Sequence, residues 1–182
     1  MKISKIKGGN QMINEKVSNL LNLQINKEFY SAYLYLDMSN YYLSKGLEGF
    51  ANWFRVQAQE EQAHAMLFME YMQNNGLDVT LEAIAKPKVT FANFKTPLEE
   101  ALTHEKYVTA SIYTIYAEAS NAKDYRTMEF LNWFVKEQGE EEMNAEILIQ
   151  KYDMFASTPQ GLYMIDAELK TRTFSPPSLD LS

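Results

Sequence analysis

The sequence predicts an all-α chain: a four-helix bundle with one long crossover and a short fifth helix. Three observations lead there. Apolar residues recur at steps of three and four through four long blocks. Helix breakers are few, with 7 Gly and 5 Pro in 182 residues, so long regular elements are expected. Of the three connections between the blocks, two are short and one is long, a known wiring of four helices.

The first block covers about residues 14–43 and stops at Ser44, Lys45 and Gly46. The second covers about residues 47–75 and stops at Gly76. The third opens at Thr96, read as an N-cap, with Pro97 at the first helical position, and runs to about Asn121. The fourth covers about residues 124–155. Pro159 and Gly161 then punctuate the chain before a fifth helix at about residues 162–171. Ser175, Pro176 and Pro177 follow it, and residues 172–182 read as a loose tail. The short loops make helices one and two a hairpin, and helices three and four another. The connection at about residues 77–95 is too long for a hairpin. Extended at about 3.3 Å per residue, it spans the length of a roughly 42 Å helix. Its Val89, Phe91 and Phe94 are placed to pack on the bundle as it passes.

Length and composition set the class. A chain of 182 residues with 46% hydrophobic and 23% charged residues is a globular single domain, the bundle occupying about residues 12–155. Folding at this length buries roughly 70% of the unfolded surface, so no staple is needed. Cys is absent, which excludes disulfides, thiolate metal sites, cysteine catalysis and cysteine-held iron–sulfur centres. The net charge of −7 argues against a nucleic-acid surface and suits cation handling. No apolar run reaches the roughly 18 residues of a membrane span. Lys2, Lys5 and Lys7 precede no apolar segment, so no signal peptide is read and a cytoplasmic location is expected.

The buried stripe of each helix carries the chemistry. The first reads Val17, Leu21, Gln24, Glu28, Ser31, Tyr35, Met38, and the second Phe50, Phe54, Gln57, Glu61, His64, Phe68, Tyr71. The third reads Leu98, Ala101, Glu105, Val108, Ile112, Ile115, Ala119, and the fourth Leu131, Phe134, Gln138, Glu141, Ala145, Leu148, Tyr152. Every stripe holds a Glu near the middle of its helix, and none holds a Lys or Arg. Buried carboxylates are tolerated only when paired, and four at one level repel one another. Either they are protonated or they hold cations between them. Glu61 and His64, spaced i and i+3, point at one atom, a metal-ligand spacing on a helix. Four carboxylates and an imidazole suit iron or manganese, and zinc also binds such a set. His104 has no such partner and reads as surface or structural. Beside this set stand Glu60, Glu137, Glu140 and Glu142. They are either a solvated acidic face or a third cation site.

Three stretches resemble the bacterial non-haem ferritins: residues 26–32, 58–64 and 130–142, with residues 161–166 similar to the start of that family's fifth helix. The resemblance covers about residues 12–171. It implies a ferritin-like fold and a di-iron ferroxidase centre. In it Glu28, Glu61 and His64 form the first iron site, Glu61 bridges, and Glu105 and Glu141 complete the second. It places Gln138 close to the second iron. It also makes Glu60, Glu137 and Glu140, with Glu141 shared, a third iron site. Tyr35 matches a tyrosine that supplies an electron, and Trp133 a nearby aromatic. The implied activity is oxidation of Fe(II) by dioxygen or hydrogen peroxide, with Fe(III) stored as mineral inside a homo-oligomeric shell of 24 subunits. Asn144 stands where relatives with a fixed di-iron cofactor have a second His, so the second iron is expected to be held less tightly. Gln62 stands where bacterioferritins have a haem-binding Met, so no haem is expected. The competing readings are a soluble di-iron oxidase or peroxidase with a permanent dinuclear cofactor, and a metal-free helical adaptor.

Overall fold

Five helices form, in the order α1 (Glu15–Ser44), α2 (Glu48–Asn74), α3 (Thr96–Asn121), α4 (Tyr125–Phe155) and α5 (Pro159–Leu169). The computed structural model describes residues 13–87, 90–179 and 181. The expectations for Val89 and for the lysines of the N-terminal stretch lie outside them. Among the described residues no helix is long and apolar enough to cross a membrane.

Local chemistry sets the helix ends. The Asn14 side chain accepts from the Lys16 amide at 2.8 Å and starts α1. Gly46 (φ 78°) and Gly76 (φ 71°) end α1 and α2 in the left-handed region, where a side chain is strained. The start of α3 differs by one residue from the expectation. Thr96 is already helical, and Asn93 Oδ1 accepts from the Lys95 and Thr96 amides at 2.9 and 3.0 Å. Asp124 caps α4 by accepting from the Thr127 amide at 3.1 Å. The fifth helix opens three residues earlier than its periodicity suggests. Pro159 occupies its first turn, and Thr158 Oγ1 accepts from the Gly161 amide at 3.1 Å.

Side-chain partners give the topology. Tyr35 meets Glu105 and Lys16 meets Glu118, so α1 and α3 run antiparallel. Gln57 meets Glu141 and Tyr71 meets Thr127, so α2 and α4 do the same. The crossover climbs along α1. Thr80 exchanges hydrogen bonds with the Asn22 side chain at 2.8 and 3.0 Å. Asn26 donates to the Ala83 carbonyl at 3.3 Å, and the Phe91 ring lies 5.0 Å from that of Tyr41. Tyr42 closes this end with a 2.5 Å hydrogen bond to the Phe94 carbonyl.

The core is divided. One apolar cluster gathers Val17, Leu21, Phe68, Ile112, Phe130 and Phe134 at one end of the bundle. The other gathers Met38, Tyr42, Phe50, Phe54, Leu98 and Leu148 at the opposite end, closed by Ile165 and Leu169 of α5. Between them lies a polar waist containing Gln24, Glu28, Ser31, Gln57, Glu61, His64, Glu105, Gln138 and Glu141, all buried. Every stripe residue named from the sequence is buried except Tyr152, which is half-buried.

Residues 172–181, where a loose tail was expected, lie along the α2–α4 seam in their described part. Arg172 donates to the Trp53 carbonyl at 3.3 Å. Ser178 Oγ lies 3.4 Å from the Trp133 indole nitrogen, and Leu179 and Leu181 pack on the first apolar cluster. Two consecutive prolines hold this segment extended.

Candidate metal centre

Each helix of the bundle delivers a carboxylate to the waist because the waist lies on its apolar stripe. α1 supplies Glu28, α2 supplies Glu61 and His64, α3 supplies Glu105, and α4 supplies Glu141 with Gln138. Among the described residues one group is spaced to hold a metal ion: one ligand atom each from Glu28, Glu61 and His64, all within 4.8 Å of one another. His64 Nδ1 stands 3.4 Å from Glu61 Oε2.

Amide side chains orient the carboxylates. Gln24 Nε2 donates to Glu28 Oε1 at 2.8 Å, and Gln57 Nε2 donates to Glu141 Oε2 at 2.8 Å. Gln138 Nε2 donates to Glu105 Oε2 at 3.1 Å, and the Tyr35 hydroxyl donates to the other Glu105 oxygen. Gln24 is itself held by Ser111, whose hydroxyl accepts from Lys27 Nζ at 2.5 Å. This leaves Glu28 Oε2, Glu61 Oε1 and His64 Nδ1 buried without a hydrogen-bond partner. A buried polar atom in that condition costs about 1–3 kcal/mol. These orphaned atoms belong to the same three residues that each bring one ligand atom within 4.8 Å of the others, and two carboxylates with an imidazole fit a divalent cation.

The electrostatics agree. Burial first, then the charges of Glu105, Glu28 and Glu141, push the Glu61 carboxyl well above the usual range. Burial and Glu141 push Glu105 up to about 8, against hydrogen bonds from Tyr35 and Gln138. Burial lowers His64, which favours the neutral imidazole that a metal needs. Burial and then Glu105 raise the Tyr35 phenol, which is therefore protonated.

The acidic set beside the waist is arranged differently. Glu137 Oε1 lies 3.8 Å from His64 Nε2. Glu60 is taken up by Arg172 at 2.6 Å. Glu140 is exposed. Burial, ahead of neighbouring charges, pushes Glu60 and Glu137 each up to about 7. Asn144 is exposed, so the position three residues after Glu141 adds no ligand to the waist. The Trp133 ring stands 5.6 Å from that of His64. His104 is structural: its Nε2 lies 2.8 Å from Ser31 Oγ, and burial pushes it down to about 4.

Gln24, Gln57 and Arg172 were not singled out from the sequence. The two glutamines left a signal, being amides on an apolar stripe one turn ahead of Glu28 and Glu61. Arg172 left none.

A ferritin-like domain profile matches residues 18–155. The chain belongs to the ferritin family. It is 35% identical over 163 residues to a bacterial non-heme ferritin of Staphylococcus aureus, covering 90% of this chain and 98% of that one. A bacterial non-heme ferritin of Staphylococcus saprophyticus is 36% identical over the same shares. Among solved structures, an open pore ferritin from the hyperthermophilic archaeon Archaeoglobus fulgidus superposes with a TM-score of 0.87 at 40% identity. That match covers 90% of this chain and 99% of the archaeal one. The fold of this ferritin is thus the four-helix bundle with a short fifth helix.

Proposed function

We propose that this ferritin stores iron and that its waist is a ferroxidase centre. It takes up Fe(II), oxidises it with dioxygen or peroxide, and passes Fe(III) to a mineral inside a homo-oligomeric shell, of 24 subunits by the family resemblance. The observation that carries this reading is the trio of unpartnered buried ligand atoms on Glu28, Glu61 and His64. Relatives named as ferritins support it.

Fe(II) is the substrate here. Glu28 and His64 take the first ion, Glu61 bridges, and Glu105 and Glu141 take the second with the Gln138 amide beside it. The raised carboxyls lose their protons as the cations arrive, which restores charge balance. Each Fe(II) gives up one electron, so a pair supplies the two that reduce dioxygen to peroxide, with two protons from solvent. The Tyr35 phenol, hydrogen-bonded to Glu105, is read by the family resemblance as a further one-electron donor. No imidazole reaches the second ion, so the oxidised product is free to leave. Glu60, Glu137 and Glu140 receive a third ion on the α2–α4 side.

Adding Fe(II) in air at large excess to the metal-free protein, then measuring iron that co-elutes with it, tests this. Iron far above two per chain in a large particle is expected. Iron that stops near two per chain would favour a fixed di-iron oxidase and overturn the storage reading.

A further inference from the structure

Arg172 follows α5 on a segment with no helical periodicity, yet it is one of the more firmly held side chains on the α2–α4 face. Its Nη2 donates to Glu60 Oε2 at 2.6 Å and also to Gln57 Oε1. Its guanidinium lies 4.8 Å above the Trp53 ring. The Arg172 and Glu60 side chains are only 23% and 19% exposed, so water screens this pair less than a surface ion pair.

The backbone fixes the guanidinium from both sides. Asn52 Nδ2 donates to the Leu169 and Arg172 carbonyls at 3.1 and 3.0 Å. Beyond it, Ser178 and Leu181 reach Trp133 and Asn74. These contacts tie the segment to α2 and α4 on both sides of Arg172. A group tethered this way competes at high effective concentration.

The Glu60 carboxylate that Arg172 holds is also the one that the proposed third ion would need. We propose that Arg172 is a built-in competitor for the third metal ion: it neutralises Glu60 in the metal-free chain and must swing away before Glu60 and Glu137 hold an ion together. This inference rests on reading Glu60, Glu137 and Glu140 as a cation site. Gln57 extends the consequence inward, because its oxygen accepts from Arg172 while its nitrogen holds Glu141. Release of Arg172 therefore also frees one end of the amide that orients a waist ligand.

Calorimetric titration of the intact, metal-free protein with redox-inert Zn(II) tests the idea. Arg172→Gln is expected to tighten the third binding step about tenfold, the equivalent of one charge-assisted hydrogen bond. Arg172→Lys keeps the charge but not the planar fork, and is expected to fall between. It also covers the case in which the Gln variant folds poorly. The chain has 2 Trp, so Trp133→Phe leaves Trp53 as the sole emitter. In that background the third Zn(II) should change Trp53 emission, and Arg172→Gln should abolish the change. If Glu60→Gln removes the third step but both Arg172 variants bind like the parent, the competitor is overturned and the site survives. If Glu60→Gln leaves the titration unaltered, the site reading fails, and the inference with it.

Discussion

Glu61 is the residue on which most of the waist depends, since it faces His64 on its own helix and the carboxylates of the other three. Glu61→Ala is expected to slow Fe(II) oxidation about a hundredfold, because even supporting contacts around a metal are worth roughly 10- to 100-fold. Stopped-flow mixing with air-saturated buffer measures it, and a parental rate would remove Glu61 from the site. Gln57→Leu removes its supporting contacts to Glu141 and Arg172 and is expected to cost about tenfold. The metal-free protein carries a pH signature of opposite sign to an ordinary ion pair. Glu61 and Glu105 are raised in the folded state, Glu105 to about 8, so the fold holds protons that the unfolded chain has already lost. Stability is then greatest below the unfolded carboxyl range and falls as pH rises through about 8. Melting curves without metal should shift down from pH 5 to pH 8, by roughly 2–4 °C for each kcal/mol lost. Saturating Zn(II) should remove most of the slope, and a metal-free melting temperature independent of pH would contradict the crowded waist. The buried carboxylates of the waist were legible because an acid on an apolar stripe breaks its period. Arg172 was not legible, because its meaning comes from a partner 112 positions away in the chain.

Among the elements, α5 shows how a short helix stabilises a long one. No side chain near Leu47 caps α2. Asp166 does so from α5, accepting from the Gly49 and Phe50 amides at 2.7 and 3.0 Å. A carboxylate at a helix N-terminus also meets the positive end of the helix dipole. Asp166→Ala is expected to cost about 1–2 kcal/mol, read by denaturant titration. Gly49→Ala should cost more, since a Cβ there would stand 1.6 Å from the Asp166 carbonyl oxygen and push α5 off its seat. Equal stability of the Gly49 variant and the parent would show that α5 docks elsewhere. The four long helices were readable to within a residue or two, because their stripes are long and three of them stop at Gly46, Gly76 or Asn121, the fourth shortly before Pro159. The fifth began early for a physical reason. It is short and leaves Tyr163 and Met164 exposed, so its periodicity is weak, and its start is set by Thr158 and Pro159.

At the scale of the whole molecule, α1 keeps apolar side chains outside the bundle. Tyr33 is 50% and Leu36 43% exposed, and both line a groove with Lys86, Pro87 and Thr90 of the crossover. Exposed Tyr33 and Leu36, set among Asp37, Asn40 and Lys86, make a mixed face of the kind that suits burial against another copy of the chain. Leu36→Arg is expected to shift the protein toward smaller species in light scattering while leaving its helix content intact. A parental particle size would place the subunit contacts elsewhere. The divided core has a further consequence. Its two apolar ends are each cohesive, and the waist between them gains little from being closed without metal. Amide hydrogen exchange on the metal-free chain should therefore report two protected zones joined by a faster-exchanging belt around Glu28, Glu61, Glu105 and Glu141. Cations would slow that belt toward the rate of its neighbours, so that a filled subunit opens as one unit where an empty one opens in the middle.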